Sequence, residues 1–238
     1  MSSIEQQRYL QALGIEVFQL RDQAPASAAR SAPAAVDAVG EVNRVGKANR
    51  VGTLDWEQLA GQVSDCTLCD LHKTRTQTVF GVGRRDADLM IIGEAPGADE
   101  DRQGEPFVGR AGRLLNAMLA AIGLGREDVF IANILKCRPP NNRDPASGET
   151  ACCTPYLERQ VELIAPRAVL AVGRIAAQHL LQSDQAIGRL RGRALSFGTK
   201  RIPIVATYHP AYLLRTPSAK AKTWQDLVLV KRLITERQ

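Results

Sequence analysis

Two cysteines stand three positions apart in the segment SDCTLCD, at residues 64–70. They are Cys66 and Cys69, and the three other cysteines of the chain lie far along it, at positions 137, 152 and 153. The N-terminus lacks the basic-then-apolar order of a secretory signal, so we expect a soluble, intracellular protein, in which structural disulfides are rare. In that setting a Cys-x-x-Cys pair predicts metal binding or redox chemistry. The spacing by itself leaves zinc and an iron–sulfur cluster equally open.

A long loop rich in Gly, Pro and acidic residues follows the apolar segment ADLMIIG at 87–93. It begins with Glu94 and Ala95, and its glycines allow the backbone to approach a ligand closely. The loop contains neither GxxxxGK[ST] nor GxGxxG, so the usual phosphate-binding motifs are excluded. Phe107 in this loop fits either a plug of the core or a stacking platform for a flat ligand.

Two further side chains stand where apolar segments end. Asn133 closes the segment DVFIAN, and its carboxamide offers a donor beside an acceptor, which matches the paired groups on one edge of a nucleobase. His209 precedes Pro210, a residue typical of the first turn of a helix. The helix dipole disfavours an imidazolium there, so a neutral hydrogen-bond donor is predicted. A turn-capping Asn and a structural His are the alternative interpretations.

The elements that position these residues form an alternating pattern. Four short, continuous apolar segments are typical of strands covered on both faces, and they lie at 87–93, 128–135, 167–173 and 201–208. Helical patterns separate them, including one at 154–166 for which Thr154 is predicted as the N-cap and Pro155 as part of the first turn. The pattern predicts an α/β fold, a three-layer α/β/α domain with a mainly parallel four-stranded central sheet. Ligands of such sheets bind beyond the carboxyl ends of the strands, where the polar residues stand.

Charge and composition divide the chain unevenly. Residues 187–238 hold eleven Lys or Arg against two acidic residues, a balance of 11 − 2 = +9, within a whole-chain net charge of +6. This asymmetry suits a phosphate-binding face, and a solvated basic surface is the alternative.

The sequence predicts an N-terminal helical extension at 1–22, an Ala/Pro-rich, disordered linker at 23–53 and a folded domain at 54–238. No apolar segment approaches the roughly 20 residues of a membrane-spanning helix.

The segments GEAPG…EDRQGEPFVGRAG, NILKCRPPNNRDP and HPAYLLR, together with the Cys-x-x-Cys pair, resemble the family 4 uracil-DNA glycosylases. The resemblance covers roughly residues 56–234. It implies a uracil-DNA glycosylase domain at 54–238 with a structural [4Fe–4S] cluster. The family's last two cysteine ligands are sixteen positions apart, as are Cys137 and Cys153 (153 − 137 = 16). By resemblance these two join Cys66 and Cys69 as ligands, and Cys152 is a bystander.

The resemblance also implies a mechanism in which uracil is flipped out of DNA and its N-glycosidic bond is hydrolysed. Uracil would stack on Phe107, Asn133 would bind its edge, and His209 would donate to O2 as negative charge develops there. Glu94 and the Glu94–Ala95 backbone would support the reaction, and the water-positioning role is given to Glu94. Glu100 is a second carboxylate whose role stays open. The residues expected to contact DNA are Tyr212, Leu213, Arg215, Lys220 and Lys222, the first two as a wedge between bases.

Several alternatives and negative expectations accompany this interpretation. A relative that links covalently to DNA uses a histidine in an RRIH-like loop, and the matching segment KCRPPNNRDP has none. A non-catalytic DNA-binding or redox-sensing module held by its metal is the main alternative, and a small-molecule nucleotide enzyme is a weaker one. No lysine is predicted to be desolvated at a strand end, so a monofunctional enzyme is expected. We expect a monomer with no obligate protein partner, in the bacterial cytoplasm and bound to the nucleoid through single- or double-stranded DNA.

Overall fold

A six-stranded sheet forms the centre of the protein in a computed structural model that describes residues 51–236. The strands are β1 (Val82–Gly83), β2 (Leu89–Gly93), β3 (Phe130–Asn133), β4 (Ala168–Val172), β5 (Ala194–Phe197) and β6 (Ile202–Thr207). Their order is β1-β3-β2-β4-β6-β5, and the four inner strands are parallel. The edge strands β1 and β5 are antiparallel to their neighbours. The predicted α/β class and the four parallel strands are therefore confirmed.

The two edge strands are absent from the sequence prediction for a physical reason. β1 has only two residues, and β5 alternates between exposed and half-buried side chains. Neither is a continuous apolar segment, because an edge strand needs only one covered face. The inner strands, in contrast, are buried along most of their length.

Helices cover both faces of the sheet. They are α1 (Trp56–Ser64), α2 (Ala98–Gln103), α3 (Arg110–Ala121), α4 (Ser147–Ile164), α5 (Arg174–Leu181), α6 (Ile187–Leu190), α7 (Pro210–Arg215) and α8 (Lys220–Thr235). Alternate residues of β2 face opposite layers: Met90 and Ile92 pack in a cluster with side chains of α4 and α5. Leu89 and Ile91 pack with side chains of α3 and α8. The three-layer arrangement follows from this alternation.

Helix α4 begins earlier than predicted. It starts at Ser147, so Pro155 lies inside the helix and Thr154 is not its N-cap. The start is stabilised by Glu149, whose carboxylate accepts from the Ala146 N–H at 2.8 Å and from the Arg143 guanidinium. A proline usually marks a first turn, and this preference misled the prediction.

The predicted N-terminal helix at 1–22 and most of the predicted linker lie outside the described residues. Val51, inside the predicted linker, is buried and packs with Leu59, Val63 and Tyr156. The packed part of the chain therefore includes residues before the predicted boundary at 54. Among residues 51–236 no helix combines the length and the apolar character needed to cross a membrane.

Candidate active site

A cavity of about 550 Å³ lies at the carboxyl ends of β2, β3 and β6. Glu94 follows β2, Asn133 ends β3, and His209 stands two residues after β6. The five residues predicted to bind uracil all line this cavity: Glu94, Ala95, Phe107, Asn133 and His209. The parallel sheet brings them together because its inner strands end at one edge. Their chemical roles stay predictions.

His209 is the N-cap of α7 and an uncharged donor. Its Nδ1 accepts a hydrogen bond from the Ala211 N–H at 3.1 Å. Because Nδ1 accepts, the proton of the neutral ring is on Nε2. Burial and the nearby Arg215 lower the pKa of His209 to about 4, although Glu100 acts in the opposite direction. At neutral pH the ring therefore presents an Nε2–H donor without a positive charge.

Asn133 holds an unpaired acceptor in the site. The residue is 2% exposed, and its Oδ1 is buried without a hydrogen-bond partner within the described residues. A buried acceptor without a partner costs about 1–3 kcal/mol, a cost that a ligand N–H would remove. Gly93 provides the space: a Cβ at this position would lie 2.4 Å from Asn133 Oδ1 and 2.7 Å from Phe107 Cζ. A glycine is required here by close approach.

Phe107 lies in a left-handed backbone conformation, with φ of 54°. Such a conformation costs about 1–3 kcal/mol in a non-glycine residue and persists only where the surroundings enforce it. Gly112 is part of these surroundings, since a Cβ there would lie 1.7 Å from the Phe107 carbonyl oxygen. The Phe107 ring is 7% exposed and lies 5.7 Å from the His209 ring, centroid to centroid, at an angle of 30°. The ring is thus packed in the core and also lines the cavity.

Glu100, whose role the sequence leaves open, anchors the Phe107 loop. Its Oε1 accepts from the N–H groups of Val108 and Gly109 at 3.0 and 3.2 Å, and its Oε2 accepts from the Gly97 N–H at 3.1 Å. Arg126 reaches the same loop and donates to the backbone carbonyl oxygen of Pro106. The Glu100 carboxylate thus binds backbone N–H groups both before and after Phe107 in the chain.

Glu94 is poised to change its charge near neutral pH. Burial, followed by the negative charge of Asp144, raises the pKa of Glu94 to about 7, and Arg174 opposes the shift. Asp144 lines the same cavity, and its Oδ2 accepts from the Arg174 guanidinium at 3.0 Å. A carboxyl group with this pKa is suited to acid–base work or to positioning water.

Lys136 corrects the expectation that no lysine is desolvated near a strand end. It lies three residues after β3 and is 1% exposed, and burial lowers its pKa to about 7. Its Nζ donates to the backbone oxygen of Asn133 at 2.9 Å and to Gln160 Oε1 at 2.6 Å. It is not among the residues that line the cavity. The signal in the sequence was a single charge inside the apolar segment NILKC.

The predicted cysteine ligands share one neighbourhood. Cys137 and Cys153 are each 4% exposed, while Cys66 and Cys69 are half-buried. Burial raises the pKa of Cys69, and the nearby thiols of Cys137, Cys152 and Cys66 raise it further. The described residues contain no group of three or more His, Cys, Asp or Glu side chains arranged to hold a metal ion. The donor set nevertheless fits a thiolate-bound centre in its chemistry, since soft sulfur donors interact electrostatically with one another and all four are at least partly buried.

Two contacts modify that picture. The Arg75 guanidinium donates to Cys137 Sγ at 3.1 Å and to the Cys66 backbone oxygen at 2.8 Å, so a cation joins the two cysteine segments. Hydrogen bonds to sulfur are among the groups that tune thiolate centres. Cys152, predicted to be a bystander, donates to the Leu68 backbone oxygen at 3.4 Å. It therefore belongs to the same neighbourhood as the predicted ligands.

The predicted wedge into DNA is only partly exposed. Tyr212 is 38% exposed and lines the cavity. Leu213 is 1% exposed and packs in the core with side chains of α3 and α8, so the prediction that it enters the base stack is not supported. Leu214, which was not predicted, is 41% exposed. The α7 helix turns Leu213 inward, against α3 and α8, and leaves Leu214 towards solvent.

The residues predicted to contact phosphate lie around α7 and the start of α8. Arg215 lines the cavity. Lys220 and Lys222 are exposed at the first turn of α8. Their contact with DNA stays a prediction.

Comparisons with known proteins identify close relatives of the chain. A family model described as the uracil DNA glycosylase superfamily matches residues 80–228. The chain is 44% identical over 188 residues to a type-4 uracil-DNA glycosylase of Archaeoglobus fulgidus, a match that covers 76% of this chain and 94% of that protein. It is 40% identical over 182 residues to a type-4 uracil-DNA glycosylase of Pyrobaculum aerophilum, covering 74% of this chain and 93% of that protein. It is also 44% identical over 165 residues to a type-4 uracil-DNA glycosylase of Thermotoga maritima, covering 68% of this chain and 84% of that protein.

Proposed function

This chain belongs to the type-4 uracil-DNA glycosylases of the uracil DNA glycosylase superfamily, and from that premise we propose that it removes uracil from DNA by hydrolysing the N-glycosidic bond. The product is an abasic site for base excision repair. The observation that carries the proposal is the unpaired Asn133 Oδ1, which lies in the same cavity as the uncharged His209. Uracil inside a duplex is out of reach, so the nucleotide is flipped out at a cost of a few kcal/mol.

Recognition of uracil rests on Asn133 and Phe107. The base stacks on the Phe107 ring, a contact worth about 1–3 kcal/mol. The Asn133 amide donates to O4 through nitrogen and accepts from N3–H through oxygen, which matches an acceptor now without a partner. Cytosine presents the opposite pair of groups, so buried polar atoms would be left unmatched. The hydrogen bond from Lys136 to the Asn133 backbone supports a fixed reading position.

Cleavage of the bond leaves negative charge on uracil, chiefly at O2, and positive charge on the sugar. His209 Nε2–H donates to O2 without losing its proton, aided by backbone N–H groups of the Glu94–Ala95 turn. A preorganised donor of this kind contributes about 3–4 kcal/mol to the transition state. Glu94, as a carboxylate, positions the attacking water or stabilises the sugar cation. The next residue, Ala95, has no carboxyl group. The role of positioning water or stabilising the sugar cation is therefore assigned to Glu94.

Contacts to DNA follow from position and charge. Arg215 lies at the cavity, and Lys220 and Lys222 extend the basic surface along α8, where they bind phosphates. Tyr212 fills the space that the flipped nucleotide leaves in the stack. Its exposed ring at the cavity supports this role.

We further propose that Cys66, Cys69, Cys137 and Cys153 hold a [4Fe–4S] cluster. When bound, the cluster supplies structural cross-linking rather than the chemistry of cleavage. The four cysteines would hold it between the Cys-x-x-Cys segment, the loop after β3 and α4. The proximity of the thiols supports a metal centre at this place. Membership of the type-4 family is the stronger reason to choose an iron–sulfur cluster over zinc. Iron and sulfide analysis of purified protein decides between the two metals.

The test of the function is excision from a single-uracil oligonucleotide, single- or double-stranded. Alkali-labile cleavage at the uracil and its absence with a thymine control are expected, with no strand break before alkali. Asn133→Ala should abolish most excision, while Asn116→Ala, on the exposed face of α3, should leave it unchanged. A protein that binds this DNA but never releases uracil would instead favour a non-catalytic DNA-binding or redox-sensing module.

A further inference from the structure

A second, apolar groove lies between α3 and α8, with a volume of about 230 Å³. It shares no lining residue with the candidate active-site cavity. Its walls are mostly aliphatic, with Leu114 and Met118 from α3 and Leu227 from α8. Trp224 lies at its edge and is 48% exposed. Trp224 thus exposes a large apolar side chain beside a groove with aliphatic walls, and exposed apolar surface of this kind is typical of interaction sites.

A buried polar atom in the groove lacks a partner. Thr223 lines the groove and is 2% exposed, and its Oγ1 has no hydrogen-bond partner within the described residues. Such a hydroxyl costs free energy until a ligand supplies a donor or an acceptor. The groove therefore combines apolar surface with one buried hydroxyl that has no hydrogen-bond partner among the described residues.

The exposed charged residues on the two helices that flank the groove are all basic. α3 has Arg110 and Arg113 and no acidic residue. α8 has four basic residues and one acidic residue, Asp226, which is fully buried and paired with Arg191 at 2.8 Å. Helical spacing places Arg113 one turn from Ala117, which lines the groove, and Lys231 one turn from Leu227. The rim of the groove is thus basic, without an exposed carboxylate on either helix.

We propose that this groove is the docking site for an acidic, amphipathic helical segment of a partner protein. Aliphatic side chains one turn apart on the segment enter the groove against Trp224, and acidic side chains on its flanks face Arg113 and Lys231. The Thr223 hydroxyl bonds to a polar atom of the segment. Single-stranded nucleic acid is a poorer occupant because it needs successive flat stacking platforms, and the groove offers one aromatic ring among aliphatic walls. The groove shares Lys220 with the proposed phosphate-binding surface, but none of its lining residues belongs to the candidate active-site cavity.

The test uses full-length protein and fluorescein-labelled helical peptides, with binding followed by fluorescence anisotropy at low and moderate salt. The probe peptide carries leucines at helical spacing and glutamates elsewhere. One control peptide has lysine in place of glutamate, and a second has alanine in place of leucine. The probe should bind, and both controls should bind at least about ten-fold more weakly. Added salt should weaken the binding of the probe.

Variants of the protein assign the binding to the groove. Trp224→Ala and Ala117→Asp, both at exposed positions, should each weaken the probe about ten-fold or more while excision of uracil and thermal stability stay unchanged. Arg113→Glu should weaken the binding of the probe peptide. Lys200→Glu, in the β5–β6 turn outside the groove, should not.

Three results would overturn the proposal. The first is an absence of probe binding, or equal binding of the lysine peptide. The second is a loss of single-stranded DNA binding in Trp224→Ala and Ala117→Asp that equals the loss of peptide binding, since the face would then bind nucleic acid. The third is a concentration-dependent dimer that Trp224→Ala abolishes, since a second copy would then occupy the groove.

Discussion

Excision of uracil is expected to rise with pH through about 7, because the role proposed for Glu94 needs a carboxylate and its pKa is about 7. The ionised fraction of such a group rises from about one tenth at one pH unit below its pKa to about nine tenths at one unit above. Turnover should therefore increase about nine-fold across this window. His209 does not contribute to this rise, since its pKa is about 4 and its ring is already neutral.

The assay is single-turnover excision from a uracil oligonucleotide at constant ionic strength. Asp144→Asn should move the midpoint to lower pH, because Asp144 raises the pKa of Glu94. Arg174→Gln should move it to higher pH, because Arg174 opposes the shift. The Asp144 side chain is 71% exposed, and exposed charges couple weakly, so each shift should be about 0.2–0.7 of a pH unit and should shrink with added salt. Glu94→Gln should be slow and independent of pH.

A second readout does not depend on catalysis. The folded-state pKa of Glu94 is raised from 4.5 to about 7, so its contribution to stability is present below the lower value and is lost as the pH rises through the higher one. Glu94→Gln should therefore raise the melting temperature relative to the native protein more at alkaline pH than at acidic pH. A flat or falling rate profile in the native protein would refute the assignment of Glu94, and so would a rising profile whose midpoint is unmoved in both neighbouring variants.

Three further predictions concern other parts of the site. His209→Ala should lower the rate of the chemical step about 100-fold or more in single-turnover assays, and an unchanged rate would remove it from catalysis. Gly93→Ala places a Cβ 2.4 Å from Asn133 Oδ1, so kcat/KM should fall about ten-fold or more, and the melting temperature should also fall because overpacking costs about 1–3 kcal/mol; unaltered kinetics would show that the pocket accommodates the added methyl group. Cys153→Ser should lose bound iron and Cys152→Ser should retain it, as measured by iron content, and the opposite result would show that Cys152 is the ligand.

Much of the fold was predictable because its inner strands are buried on both faces. A continuous apolar segment such as ADLMIIG is possible only where helices cover both sides, and it therefore predicts both a strand and its layers. The place of Glu94 and Asn133 followed from the same fact, since parallel inner strands end at one edge. The sequence could thus predict which residues share the cavity.

The remainder depends on contacts that no local pattern contains. Glu100 anchors the Phe107 loop through backbone N–H groups eight and nine residues away. Lys136 is buried because Gln160, on α4, accepts from it. The sequence also could not predict that Leu213 faces the core, because α7 is a short helix whose orientation is set by packing against α3 and α8.

The dual use of the His209 ring links acid sensitivity to DNA binding. One ring nitrogen starts the helix that carries Tyr212 and Arg215, and the other is the proposed donor to the leaving base. A proton added to Nδ1 would remove the cap and give the ring a charge in one event, as the pH falls through about 4. Acid would thus disturb the start of α7 and with it the positions of Tyr212 and Arg215, so DNA binding and cleavage would weaken over the same pH range.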